Sequence, residues 1–590
     1  MIRVKQKAGC RLKRFEGGSD FLMGAGIGIV FFLLVYGVST LNVTYDSWIY
    51  NGYIEQDIIQ RYAGWLYYRN AEWDWPLAIA NNMSIPHGAS IVFTDSVPLV
   101  AVLCKIFSPL LPETFQYIGW YNLINCALQG GFAALLLRHF RLGKVFSAAG
   151  SLFFVCAPIF VERLFRHDAL ASQWMVLAAL LLYFRARHEG KLSLWGFVAL
   201  CAIAPGVTTY FVPMVYMFLA VALLEDISKN RRIIRPAMSM AACVFATLVS
   251  AYVFGILTRG GGGSAFGFGT YSMNLNALFN PTSFDWYAES AALGWSAFLP
   301  ILPQYSRQYD GFNYLGMGLL LGLTAMALCG LLKAVQAISR KDMAIFRCAW
   351  RFVKEHIWLI LACLCLTLFA FSNVVTWGET TLFVVPLPDI VQQLCGIFRA
   401  SGRLFWPCSY LLVLSVVLWC AKVLQKHWRM AGIVLLVLVQ LVDIFPTLYK
   451  KHQYFSDGPI VVEDEFSSEG WEFLASNYHE VYCLGDLFDY RLAAGIIRYN
   501  PQVQTNMVIA NRGNFDYITA TYEPMQQSLR SGQPLPDGVM YICGDEATFD
   551  EIMQGLHPDA RGYRVGDFYV FANPLPGCPL PEYLPEGANR

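Results

Sequence analysis

The chain has 590 residues, of which 56% are hydrophobic and only 14% charged. Soluble globular domains carry about 25% charged residues, so this composition excludes an ordinary soluble fold for most of the length. The net charge of +1 says nothing about a nucleic-acid partner, and none is expected.

The N-terminus is basic, with Arg3, Lys5, Lys7, Arg11, Lys13 and Arg14. The apolar run behind it is about 20 residues long, the length of a bilayer crossing. No small-residue cleavage site stands out, so an uncleaved first span is expected rather than a signal peptide. Apolar runs predict eleven spans near 20–41, 116–137, 145–161, 174–184, 192–207, 209–224, 237–257, 313–333, 357–375, 404–421 and 431–448. The connecting segments alternate between basic ones and longer, aromatic, lysine-poor ones. By the positive-inside rule the N-terminus is cytoplasmic, and an odd number of spans puts the C-terminus outside. The expected fold is therefore a polytopic α-helical membrane protein. Residues 1–19 form a basic cytoplasmic N-terminus, 20–449 the transmembrane domain and 450–590 a soluble extracytoplasmic α/β domain.

Before the last span, the outer cations are almost all arginine: Arg61, Arg69, Arg163, Arg166, Arg259, Arg307, Arg399 and Arg403, with Lys105 the exception. A guanidinium fork matches phosphate or carboxylate with two bonds, whereas an ammonium acts as a point charge. As a set they suggest an anionic ligand at the outer face. Any single one is equally explained by snorkelling or a local ion pair.

The first outer loop, residues 42–115, is far longer than a connector needs. Within it 55–68 reads as a helix with Asp57, Arg61, Gly64 and Tyr68 on one face. Asp57 is the preferred catalytic residue, a general base that could take a proton from an attacking hydroxyl; the competing reading is an ion pair with Arg61 one turn on. Asp95 sits in Thr94-Asp95-Ser96-Val97-Pro98, a helix-capping context. The apolar segment 97–107 is too short to span and fits an interfacial helix.

Next comes Glu162-Arg163-Leu164-Phe165-Arg166-His167-Asp168, five ionisable groups beside the membrane. A solvated patch or a ligand site both account for it. Gly260–Gly263 with Ser264 reads as a flexible outer loop. In Phe398-Arg399-Ala400-Ser401-Gly402-Arg403 the two arginines share a helical face and could meet one phosphate or anchor the span at the interface.

From about residue 450 the composition turns polar. Residues 481–484, 539–543 and 569–572 read as strands, and 491–497 and 548–556 as helices. No phosphate loop, dinucleotide fingerprint or nucleophile elbow is present. The sixteen cysteines show no CxxC pair or zinc spacing.

Taken together, Asp57-Ile-Ile-Gln60-Arg61-Tyr62-Ala-Gly64-Trp65 with Arg69, Phe93-Thr94-Asp95-Ser96-Val97-Pro98, His167-Asp-Ala169-Leu170 with Trp174, Tyr271-Ser272-Met273-Asn274, Gly311-Phe312-Asn313-Tyr314-Leu315-Gly316 and Phe398–Arg403 resemble a bacterial family of multi-pass membrane proteins catalogued as a domain of unknown function. That family's layout is similar to the GT-C superfamily of membrane glycosyltransferases. The resemblance implies a site at the outer face of the bacterial inner membrane, with Asp57 as the loop acid and Asp95 as a second polar contact. It implies substrate binding by Arg61, Tyr62, Trp65, Arg166, His167, Asp310, Arg399 and Arg403. The implied partners are a polyprenyl-phosphate-linked sugar, membrane lipids and an envelope glycan or protein acceptor. No organic cofactor is implied and no metal ligand is assigned, while a divalent metal stays open. The alternatives are a transporter or flippase of an anionic lipid-linked substrate, or a non-catalytic envelope scaffold.

Overall fold

The computed structural model describes residues 16–50, 56–257, 267–285, 290–305, 307–456, 465–487, 490–510 and 515–584. The basic N-terminus, Glu55, Arg259 and the Gly260–Ser264 loop lie outside the described residues.

A helix stands at each of the eleven places where an apolar run predicts a span. Among the described residues seven helices are long and apolar enough to cross a membrane: Gly17–Tyr36, Asp168–Glu189, Phe211–Asn230, Ile234–Val253, Met317–Ser339, Ser401–Val423 and Trp428–Ser456. An eighth crossing follows if Ala344–Glu355 and Ile357–Phe371, bent by 71°, count as one span. Lys144–Val155 and Leu194–Val207 are apolar but shorter, at 12 and 14 residues. The expected span 145–161 is the clearest departure. Its helix stops at Val155, Pro158 opens a single turn Pro158–Val161, and the chain then runs through the interior as a buried polar turn.

With no hydrophobic drive between helices in lipid, close backbone approach must supply the contact. The first helix and Ile118–His139 show how. A Cβ on Gly28 would sit 1.9 Å from the Cys126 carbonyl oxygen, and one on Gly24 2.2 Å from that of Gly130.

The first loop carries the helix Gln56–Asn70, with Asp57 in its first turn and Arg69 in its last, both favoured by the helix dipole. A short pairing of Ile79–Ala80 with Ala89–Ser90 follows, then Pro98–Ile106, which leaves Leu103 and Ile106 exposed. Nine residues cannot cross a bilayer, which agrees with an interfacial element.

The C-terminal region holds a five-stranded sheet. Gln504–Thr505, Glu480–Cys483 and Val539–Cys543 run parallel, and Phe568–Ala572 and Arg561–Val565 continue antiparallel. This domain is sewn onto the first loop. Helix Tyr490–Tyr499 packs against Gln56–Asn70. Gln60 Nε2 donates to the Ile509 carbonyl at 2.6 Å, Ile85 N to Thr505 O at 3.1 Å, and Thr505 N to Asn82 O at 3.0 Å.

Candidate functional site

The loop helix Gln56–Asn70 and the Thr94–Val97 turn meet at Gly64. A Cβ there would fall 2.3 Å from Thr94 Oγ1 and 2.7 Å from Ser96 Oγ, so only glycine allows this approach. Ser96 Oγ donates to the Arg61 carbonyl at 2.8 Å, and Tyr117 donates to the Ser96 carbonyl. The clamp holds two non-glycine residues in the left-handed region, Asp95 at φ 57° and Val97 at φ 48°. For a β-branched residue this is an outlier of the kind found at functional sites. The capping expectation for Asp95 fails: Pro98 begins the helix, Val97 is its N-cap, and no side chain caps it.

The buried turn after Val161 supplies the next layer. Arg61 pairs with Asp168 at 3.0 Å rather than with Asp57. Asp168 also accepts from Asn122 Nδ2 at 2.6 Å and from the Phe165 N–H at 2.9 Å. Asp57 instead meets His167, Oδ2 to Nε2, at 2.8 Å. Arg163 Nη1 lies 3.2 Å from His167 Nδ1. A guanidinium only donates, so Nδ1 accepts and the proton sits on Nε2, directed at Asp57.

Arg163, 1% exposed, also holds the Asp310 carboxylate at 2.7 Å, and Arg403 holds its other oxygen at 2.5 Å. A continuous relay therefore runs Arg403, Asp310, Arg163, His167, Asp57. Arg166 pairs with Glu162, which also accepts from Ser283 Oγ at 2.7 Å, and its guanidinium lies over the Tyr309 ring at 5.6 Å. Arg399 lies over the Tyr271 ring at 5.8 Å.

The two acids of the first loop are driven apart. Burial pushes the Asp57 carboxyl up, but the hydrogen bond and charge at His167, with Arg61 and Arg166, outweigh it and hold it at about 2. Burial, then repulsion from Asp57, raises Asp95 to about 6 against the pull of Arg61, Arg403 and Arg399. Burial takes His167 down to about 3 despite its bond to Asp57, so the imidazole is neutral near pH 7. Asp310 is held well below the usual carboxylate range: burial opposes ionisation, and Arg403 and Arg163 overcome it. Asp57 keeps 27% of its side chain exposed, so the relay ends at an accessible carboxylate.

Of the residues singled out in the sequence, Asp57, Asp95, His167, Asp310, Arg399 and Arg403 form one electrostatic unit. Arg61 and Arg166 are paired supports beneath it. Tyr62 donates to Asp46 at 2.8 Å and Trp65 Nε1 to the Phe115 carbonyl at 2.9 Å. Their polar atoms are thus spent on the scaffold, although both rings line a narrow cavity with Arg61 and Asp95. Arg69 donates to Ser108 Oγ and the Glu113 carbonyl, and Lys105 Nζ to the Ala71 carbonyl.

The sequence hid two further participants. Arg163 appeared only as one arginine among several, although its spacing of four from His167 was visible. Tyr490 belongs to the C-terminal domain, and nothing local marks it. Burial pushes its phenol up to about 12, with Asp57 adding to the rise and Arg399 opposing it. Among the described residues no group of three or more His, Cys, Asp or Glu could hold a metal ion.

A family profile described as a domain of unknown function (DUF6311) matches residues 25–445. The chain belongs to that family. The matched stretch contains every residue of the relay and stops before the C-terminal sheet, so Tyr490 lies outside it. No curated protein matches the chain.

Proposed function

We propose that the protein is a membrane glycosyltransferase that moves a sugar from a polyprenyl-phosphate carrier to an envelope acceptor at the outer face of the bacterial inner membrane. In this reading eleven helices cross or enter the bilayer, the N-terminus is cytoplasmic, and the C-terminal domain lies outside. The observation that carries it is the pair of carboxylates, Asp57 and Asp95, set to opposite protonation tendencies beside Arg399 and Arg403. Two acids whose surroundings push them apart mark an acid–base site.

The sequence points to Asp57 as general base; in this reading the opposed titration of the two acids moves that role to Asp95. Asp57 is a fixed anion locked to His167 and a weak proton acceptor. Asp95, at about 6, is better matched to general-base work near neutral pH. The acceptor hydroxyl gives its proton to Asp95, and its oxygen bonds to the anomeric carbon. The bond from that carbon to the carrier phosphate oxygen breaks, and polyprenyl phosphate leaves with the electron pair. Among the described residues Arg399 makes no carboxylate ion pair, so its fork is the best placed to meet that phosphate. Arg403 and Arg163 are engaged by Asp310 and fix the wall behind it. Tyr490 brings the C-terminal domain to the acceptor side.

The test is to supply radiolabelled polyprenyl-phosphate sugars to the full-length protein in liposomes with an envelope extract as acceptor. Release of polyprenyl phosphate with label in the extract is expected. Label that crosses the bilayer with its carrier bond intact would replace this reading with the transporter.

A further inference from the structure

The other end of the bundle carries a different device. The span Ile357–Phe371 reaches the site with its C-terminal end, where the Ala370 carbonyl accepts from Ser401 Oγ and from the Met273 N–H. Its N-terminal end lies about 22 Å away along the helix axis, at about 1.5 Å per residue over 15 residues, toward the other end of the bundle. There the preceding helix, Ala344–Glu355, turns away by 71°. If the span stands upright, that helix lies about 19° from the membrane plane (90° minus 71°).

At 100° per residue its side chains separate into two arcs. Arg347, Arg351 and Lys354 occupy one; Phe346, Trp350 and Val353 occupy the other. The apolar arc is not covered by the chain: Trp350 is 61% and neighbouring Phe352 60% exposed. On the adjoining helix Ile360, Leu361 and Leu364 are exposed as well.

The cations extend beyond the helix. Arg187 Nη2 donates to the Glu355 carbonyl at 2.8 Å, and Trp358 Nε1 to Ser228 Oγ at 2.9 Å. Arg187 also lines a cavity of about 1400 Å³ together with Lys229, Arg231, Arg232 and Arg235. Of the carboxylates there, Glu225 is held by Arg187 and Tyr183, and Asp226 accepts from Asn230. The cavity keeps an excess of positive charge.

We propose that Ala344–Glu355 lies in the interface of the leaflet opposite the site, and that its three cations and the adjoining basic cavity bind an anionic phospholipid headgroup. The apolar arc sits among the acyl chains and the cationic arc faces the phosphates. This stands independently of the function proposed above.

The test uses the full-length protein in nanodiscs of phosphatidylcholine alone or with added phosphatidylglycerol. A fluorescent amino acid placed at position 353 should be quenched by doxyl-labelled lipid and shielded from iodide, and one at position 351, about 160° round the helix, should behave the opposite way. Phosphatidylglycerol should raise the thermal midpoint of the wild type. The combined Arg347→Gln, Arg351→Gln and Lys354→Gln variant should match wild type in phosphatidylcholine and show a smaller rise. Equal iodide quenching at both positions, or an undiminished rise in the variant, would overturn the proposal.

Discussion

At the site end of the bundle Arg61, Arg163 and Arg166 are buried, and each meets a carboxylate: Asp168, Asp310 and Glu162. At the opposite end Arg347, Arg351 and Lys354 are exposed along one helix face. The same charge serves two physical purposes. A buried guanidinium survives in a low-dielectric interior only when paired, and such pairs contribute more to fixed geometry than to net stability. An exposed cation is screened and mobile, suited to a diffuse anionic surface and of little consequence to the fold.

That contrast can be broken at graded cost. The largest effect is expected at the site itself. Asp95→Asn should lower sugar transfer about 10²–10⁴-fold, the usual range for a general base, with the fold retained. Asp95 titrates higher in the folded chain than an ordinary carboxylate. Its contribution to stability is therefore present at low pH and lost as pH rises through about 6. The variant should flatten that part of the melting-temperature profile. Asp57 has the opposite sign, and its contribution is lost only as pH falls towards about 2.

Next in size is Arg163→Met, which leaves Asp310 and His167 without their shared donor. Breaking a buried pair from one side costs about 3–5 kcal/mol, readable as a drop in the denaturation midpoint. Gly64→Ala should cost about 1–3 kcal/mol through overpacking. It should also reduce transfer, because the displaced turn carries Asp95. The smallest effect is expected from Arg347→Gln alone, within about 0.5 kcal/mol in phosphatidylcholine. A large loss there would mean that the exposed cations are structural after all.

Much of the helical architecture was legible because apolar runs are local signals. The loop helix, the three main strands of the C-terminal sheet and the Asp57–Gly64 face all follow from spacing. Ion-pair partners do not. Asp57 and Arg61 sit one helical turn apart, yet each chose a residue more than a hundred positions away, His167 and Asp168. The reason is that the chain after Pro158 runs through the interior, which no hydropathy window reveals. Asp95 looked like a helix cap because its neighbours are Thr, Ser and Pro, but the left-handed Val97 and the Ser96 clamp give it a different setting. Tyr490 was invisible because its approach to Asp57 is created by domain docking. Tyr62 and Trp65 shared the motif with Asp57, yet their polar atoms serve the scaffold.

In the proposed reaction Asp95 exchanges a proton during transfer, and a pH–rate profile reads that directly. For wild-type protein in liposomes, single-turnover transfer from a polyprenyl-phosphate sugar should rise about tenfold per pH unit below about 6 and level off above it. The Asp95→Asn profile should be low and without that limb. Transfer by wild type that is flat from acid to neutral pH, or a variant that keeps the limb, would contradict it.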